Sequence, residues 1–167
     1  SVRLHKTQKV AQNVLTGDLL LFYCSCCSFI WNTCFDPLKV DYSDGYEATQ
    51  SYSATYRRFL ESQARTLVRE HAIHGQTILE IGCGNGEFLA AVCEAGDNTG
   101  IGYDPAFLSS RARAIKEGSY CVHAKMFDSN TVVDGVDIIV CRNTLEHIAK
   151  VKTFVANIRS AIGERSG

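Results

Sequence analysis

The sequence predicts an α/β protein: a parallel sheet with helices on both faces, preceded by a small β element that carries cysteines. Three observations lead there. Short, apolar, β-branched runs alternate with stretches of helical period between Thr77 and Ile162. Strands alternating with helices make βαβ units, whose right-handed crossovers place helices on both faces of a parallel sheet. Three glycines stand in five positions behind the first apolar run, in Ile78-Leu79-Glu80-Ile81-Gly82-Cys83-Gly84-Asn85-Gly86-Glu87-Phe88, a placing that lets a backbone approach a ligand closely. Residues 1–40 show neither feature and hold four of the eight cysteines, at Cys24, Cys26, Cys27 and Cys34.

The elements follow in order. Leu19–Tyr23 and Ser28–Trp31 flank the cysteine cluster and are expected to pair as strands. Asp41–Gln50 is turn-rich and aromatic. Phe59, Leu60, Ala64, Leu67 and Val68 recur at three- and four-residue spacing between charged residues, which predicts a helix from Tyr52 to His71. Thr77–Ile81 reads as a buried strand, and Glu87–Ala95 as a helix ended by Gly96 as a C-cap. Thr99–Tyr103 is the second strand, Ala106–Glu117 a helix closed by Gly118, and Ser119–Ala124 the third strand. Val136–Cys141 is the fourth strand and Val151–Ile162 the last helix. The expected division is an N-terminal element over 1–40, a linker and helix over 41–76, and the sheet domain over 77–167.

Composition narrows the function classes. Seventeen basic and eighteen acidic side chains leave a net charge of -1, so there is no basic excess for nucleic acid and none is expected as a partner. The most apolar run, Leu19–Trp31, has thirteen residues, short of the ~20 that span a bilayer. No small-residue cleavage site follows it, so no membrane segment or signal peptide is expected. Cys83, Cys93, Cys121 and Cys141 are scattered through apolar segments, the pattern of buried reduced thiols in a cytoplasmic protein.

The glycine loop limits its own ligand. A dinucleotide fingerprint spaces its glycines G-x-G-x-x-G, and a triphosphate loop ends in Gly-Lys-Ser/Thr. Here the glycines are Gly82, Gly84 and Gly86, with no lysine after them. Glu80 would repel a pyrophosphate and suits a ligand with positive charge.

Glu80-Ile81-Gly82-Cys83-Gly84-Asn85-Gly86 resembles motif I of the class I S-adenosylmethionine-dependent methyltransferases. The resemblance implies a Rossmann-like sheet with parallel strands in the order 3-2-1-4. It implies S-adenosylmethionine as methyl donor and S-adenosylhomocysteine as product. Glu80, Gly82, Cys83, Gly84, Asn85 and Gly86 would line the methionine part and sulfonium, with Phe88 and Arg142 beside them. Asp104, before Pro105, would hold both ribose hydroxyls, since a carboxylate accepts two donors. Asp128 would accept from the adenine amine, and Phe127 would flank the ring. The family's sheet continues past a fourth strand, so the chain is expected to be a fragment of a longer enzyme. Its fourth strand would keep a bare apolar edge, open to self-association.

Cys24–Trp31, Phe35-Asp36-Pro37 and Tyr42-Ser43-Asp44-Gly45-Tyr46-Glu47 resemble the junction in a subset of these enzymes with an N-terminal zinc-binding domain. The subset includes deoxysugar C-methyltransferases. It implies Cys24 and Cys27 as zinc ligands, with a companion C-x-x-C upstream, and Tyr42 and Tyr46 near the methionine moiety. The companion pair is not in this sequence, so reduced thiols in a small β element are the alternative. The tyrosines could equally pack between domains.

Arg142-Asn143-Thr144-Leu145-Glu146-His147 is similar to the N-x-L-x-H motif of the sugar C-methyltransferases. There a histidine acts as base, and an imidazole with a pKa of ~6.5 suits that task. His147 is the candidate base, Glu146 its acidic neighbour, and Arg142 or Asn143 the donor to an enolate oxygen. The alternative is a structural turn. The expected function is methyl transfer to a small, sugar-like molecule. The competing readings are a cofactor- or zinc-binding module without catalysis, and an NAD(P)-linked oxidoreductase.

Overall fold

The computed structural model describes residues 5–39, 49–107, 111–115, 118–131 and 134–162, with 111–115 and Gly118 by backbone alone. The chain divides into two compact units, Ser1–Glu47 and Ala48–Gly167.

The first unit opens with a short helix α1 (Gln8–Gln12), capped by the Thr7 hydroxyl accepting from the Val10 amide at 3.3 Å. Two antiparallel strands follow, β1 (Leu21–Tyr23) and β2 (Ile30–Asn32), in the expected pairing, with Phe22 opposite Trp31. Their rings lie 4.8 Å apart, a cross-strand aromatic pair. Asn32 fastens the ends: its Oδ1 accepts from the Leu20 and Cys34 amides, and its Nδ2 donates to the Asp18 carbonyl.

In the second unit, α2 (Ala54–His71) starts at Ser53, whose hydroxyl accepts from the Tyr56 amide, and buries Leu60, Ala64 and Val68 along one stripe. Then come β3 (Thr77–Ile81), α3 (Glu87–Gly96), β4 (Thr99–Tyr103), β5 (Arg111–Ile115), β6 (Gly118–His123), β7 (Ile138–Cys141) and α4 (Val151–Ile162). The sheet runs β5-β6-β4-β3-β7. Its four parallel strands therefore stand third, second, first, fourth by sequence, the order expected. Side chains of a strand alternate between faces, and β3 shows the consequence. Ile78 joins Val68, Leu89, Val92 and Val122 on the face covered by α2 and α3. Leu79 and Ile81 join Tyr103, Phe127, Val136 and Phe154 on the face covered by α4. Among the described strands β7 pairs with β3 alone, and its Ile138, Ile139 and Val140 stay half-buried. No helix among the described residues is long and apolar enough to cross a membrane.

Two expectations are corrected. Within the helix expected over Ala106–Glu117, Arg111–Ile115 is a strand, antiparallel to β6 with Ile115 opposite Gly118 and Arg111 opposite Val122. Arg and Ala favour helix, but propensity is a weak prior. Without β5, the outer edge of β6 would carry a row of unpaired amides and carbonyls, and Arg-Ala-Arg-Ala-Ile fits an alternating edge strand equally well. Gly96 is the last residue of α3 rather than its left-handed cap, which is Asp97 at φ 52°. Glycine is needed at 96 for space: a Cβ there would come 2.2 Å from the Ile73 carbonyl oxygen.

The same corner holds a residue that pattern reading passed over. Asn98 is fully buried. Its Oδ1 accepts from the Gln76 amide at 2.9 Å, and its Nδ2 donates to the Val92 and Ile73 carbonyls at 3.0 and 3.2 Å. One amide side chain thus ties the end of α3 to the segment entering β3. Asn98→Ala would remove three hydrogen bonds to the backbone at this corner and should lower stability by about 2–4 kcal/mol, measured by urea unfolding. Asn98→Asp should do no better, because its oxygens would face two carbonyls.

Candidate functional site

The site is built where β3, β4 and β7 end. Gly82, Gly84 and Gly86 all have positive φ (71°, 56° and 80°), so the loop cannot be made from ordinary residues without strain. Gly82 has a second reason to be glycine: a Cβ there would sit 2.1 Å from the Thr144 Oγ1. The Thr144 hydroxyl faces the Arg142 carbonyl at 2.8 Å and the Ile81 carbonyl at 3.2 Å, fastening the exit of β7 to the exit of β3. Nothing in the sequence motif singled out Thr144. A small hydroxyl residue three positions after the fourth parallel strand was the available signal.

Gly86 is the N-cap of α3 and brings no side chain to cap it. The Leu89 amide, in the first turn of that helix, bonds Glu80 instead. The first turn of α3 thus meets a carboxyl group from the neighbouring strand in place of a side chain of its own N-cap residue. Glu80 is only 3% exposed, and its Oε2 is buried without a hydrogen-bond partner. Burial pushes its carboxyl up to about 8; Arg142 pulls it down, while Glu87 and Asp104 push it further up. Glu80 precedes the glycines, Glu87 follows them and Asp104 is bonded to Gly84, so three carboxyl groups lie on or next to this loop. Glu87 also accepts a hydrogen bond from the Thr49 hydroxyl.

Asp104 stands at the end of β4 as expected and is joined to the loop. Its Oδ2 accepts from the Gly84 amide and its Oδ1 from the Ala106 amide, both at 2.8 Å. Each oxygen keeps a second lone pair for another donor. Asn85 is half-buried beside it, and Pro105 is exposed. Cys83 and Cys93 are buried, with thiols pushed up by desolvation, Cys93 to about 12; both pack as small apolar groups.

Arg142 and Phe88 meet at the other side of the loop. The guanidinium carbon lies 3.9 Å from the Phe88 ring centroid, and Nη2 donates to Gln63 Oε1 on α2 at 3.0 Å. Asn143 is exposed in the left-handed region at φ 49°. Glu146 and His147 are exposed on a single 3-10 turn, Leu145–His147.

The remaining candidates lie apart from this cluster. The Phe127 ring is buried in the α4-side core, edge-on to Tyr103 and Phe154 at 6.3 Å. Asp128 is exposed and forms a local turn, its Oδ1 accepting from the Asn130 amide at 2.8 Å. Tyr42 and Tyr46 fall outside the described residues. Cys24 and Cys27 stand at the tip of the β1–β2 hairpin, where the Cys27 and Cys26 amides hold the Cys24 thiol below the usual range. All eight cysteines are free, Cys141 being exposed rather than buried. Among the described residues no three His, Cys, Asp or Glu side chains gather to hold a metal ion. Two thiols are half of the four-ligand set that structural zinc takes.

A family model described as a methyltransferase domain matches residues 79–165, just over half of the chain. A comparison with curated proteins returns no match.

The buried carboxyl has a consequence for stability. Glu80 binds its proton more tightly folded than unfolded, so its contribution is full below an unfolded pKa of ~4.3 and is lost as pH rises through about 8. Stability should fall by up to about 1.4 kcal/mol per pH unit across that window. In Glu80→Gln this component should vanish, making the variant the more stable of the two at pH 9, by urea unfolding.

Proposed function

The chain belongs to the methyltransferase-domain family, and on this ground we propose that it binds S-adenosylmethionine and methylates a small, sugar-like acceptor. The observation that carries the reading is the acidic ring of Glu80, Glu87 and Asp104 about a glycine loop, with Glu80 Oε2 buried and unpartnered. Such a ring attracts a ligand with an ammonium and a sulfonium and repels a pyrophosphate, which weighs against a dinucleotide.

In this reading the bare Cα atoms of Gly82, Gly84 and Gly86 give the methionine end close access, with Glu80 as its counter-charge. Asp104 uses its remaining lone pairs on the ribose hydroxyls. Asp128 serves the adenine amine, while Phe127, its ring buried between Tyr103 and Phe154, is left out of that role. S-adenosylmethionine supplies an activated methyl group, so the protein's task is orientation and, where the acceptor demands it, removal of a proton. His147 is the base, on the turn that follows β7. Asn143 is the donor to a developing oxyanion, because Arg142 is already engaged with Phe88 and Gln63.

Titration calorimetry tests the binding half. S-adenosylhomocysteine should bind and NADH should not; the reverse would overturn the reading in favour of an oxidoreductase. Asp104→Asn replaces one acceptor oxygen and should weaken S-adenosylhomocysteine by about 10–100-fold. His147→Gln should leave that affinity unchanged while abolishing methyl transfer to a carbon acceptor.

A further inference from the structure

We propose that Arg142 is a positioning residue for the cofactor's positive end, acting through the charge of Glu80, so that the ligand enters as a proton leaves that carboxyl. The inference rests on the cofactor reading above and adds a regulating residue to it.

Glu80 lies on β3 between Gly102 of β4 and Val140 of β7. One oxygen is buried without a partner, while the group takes a hydrogen bond from the Leu89 amide. A carboxyl so placed keeps its proton, because an unpaired charge in a dry site is costly. The groups facing it are mixed. Glu87 from the start of α3 and Asp104 from the end of β4 are acidic. Cys83 from the loop and Cys93 from α3 are neutral thiols that feel Glu80 electrostatically. From α2 comes the neutral Gln63, bonded to Arg142. Arg142, at the exit of β7, is the cation of the set and favours the ionised carboxylate.

That cation is held in place from two elements. Phe88, on α3, stacks against the guanidinium at 3.9 Å, and Gln63, on α2, takes one of its N–H groups at 3.0 Å. A planar guanidinium with both a ring face and an acceptor is a fixed charge, which a lysine ammonium would not reproduce. The Arg142 charge thus sits at a set position relative to Glu80. When a cationic ligand arrives, the carboxylic acid becomes a carboxylate opposite the ligand's ammonium, and the proton goes to solvent. Binding then tightens about tenfold per pH unit until Glu80 is ionised in the free protein, and levels off above.

The experiment is calorimetric titration of the whole chain with S-adenosylhomocysteine at pH 6, 7, 8 and 9, in two buffers of different ionisation heat. Wild type should release close to one proton at pH 6 and 7. Glu80→Gln should release none beyond the ligand's own titration. Arg142→Met should bind about tenfold more weakly at pH 7 and regain most of that loss at pH 9, and Arg142→Lys should fall between. A carbon-detected NMR titration of Glu80 in the ligand-free protein is the second readout: its midpoint should rise in Arg142→Met and, less, in Gln63→Leu. Tight but pH-independent binding by wild type overturns the proposal and leaves the cofactor reading standing. An unmoved Glu80 midpoint in both variants overturns it also. No binding at any pH overturns both together.

Discussion

A carboxyl group buried at the end of the central strand is the constraint on which the rest of this domain depends. Glu80 occupies a place where a purely apolar residue would pack well, and burial makes its charge costly. What it supplies in exchange is a cap for α3, whose N-cap residue, Gly86, has no side chain to offer. The loop can therefore be almost bare of side chains without leaving the helix start unsatisfied. In the function proposed above, that bareness suits the loop to a ligand, and the carboxyl gives it a charge preference.

The other half of the site depends on where β7 ends. Thr144 closes on the backbone of Ile81 and Gly82 so tightly that position 82 excludes any side chain. Arg142, two residues earlier, reaches across to Phe88 and Gln63. Strand β7 is thus linked to the loop, to α3 and to α2 within three residues of its end. In the proposal above, a change in any of these elements reaches the Glu80 charge through Arg142. The exposed turn that carries Glu146 and His147 follows directly, which sets the candidate acid–base residues at the rim and the cofactor residues inside it.

Much of the architecture was legible from local pattern. Apolar runs of strand length and the helical spacing of Leu60, Ala64 and Val68 each correspond to an element in the structure. Where the reading failed, pairing or packing outside the segment had overruled its local preference. Arg111–Ile115 has the composition of a helix and pairs as a strand because β6 offers it an edge. Gly96 has the position of a C-cap, but is glycine because the Ile73 carbonyl leaves no room. Asn98, which the local pattern does not single out, is a fully buried hydrogen-bonding corner.

The division at the site follows the same line. Residue types and spacing along one segment were enough to identify the glycine loop, to place an acid at the end of each of its two neighbouring strands, and to disfavour a pyrophosphate. These are properties of a single strand–turn–helix unit, where the chain itself sets the distances. Chain-local pattern could not reveal that Glu80 would be dry and unpartnered, that Arg142 would stack on Phe88, or that Thr144 would dictate Gly82. Each of those depends on the parallel pairing of β3 with β7, strands almost sixty residues apart (Ile81 opposite Cys141). Burial and charge coupling are set by whatever the fold brings into contact, and that was decided only when the sheet closed.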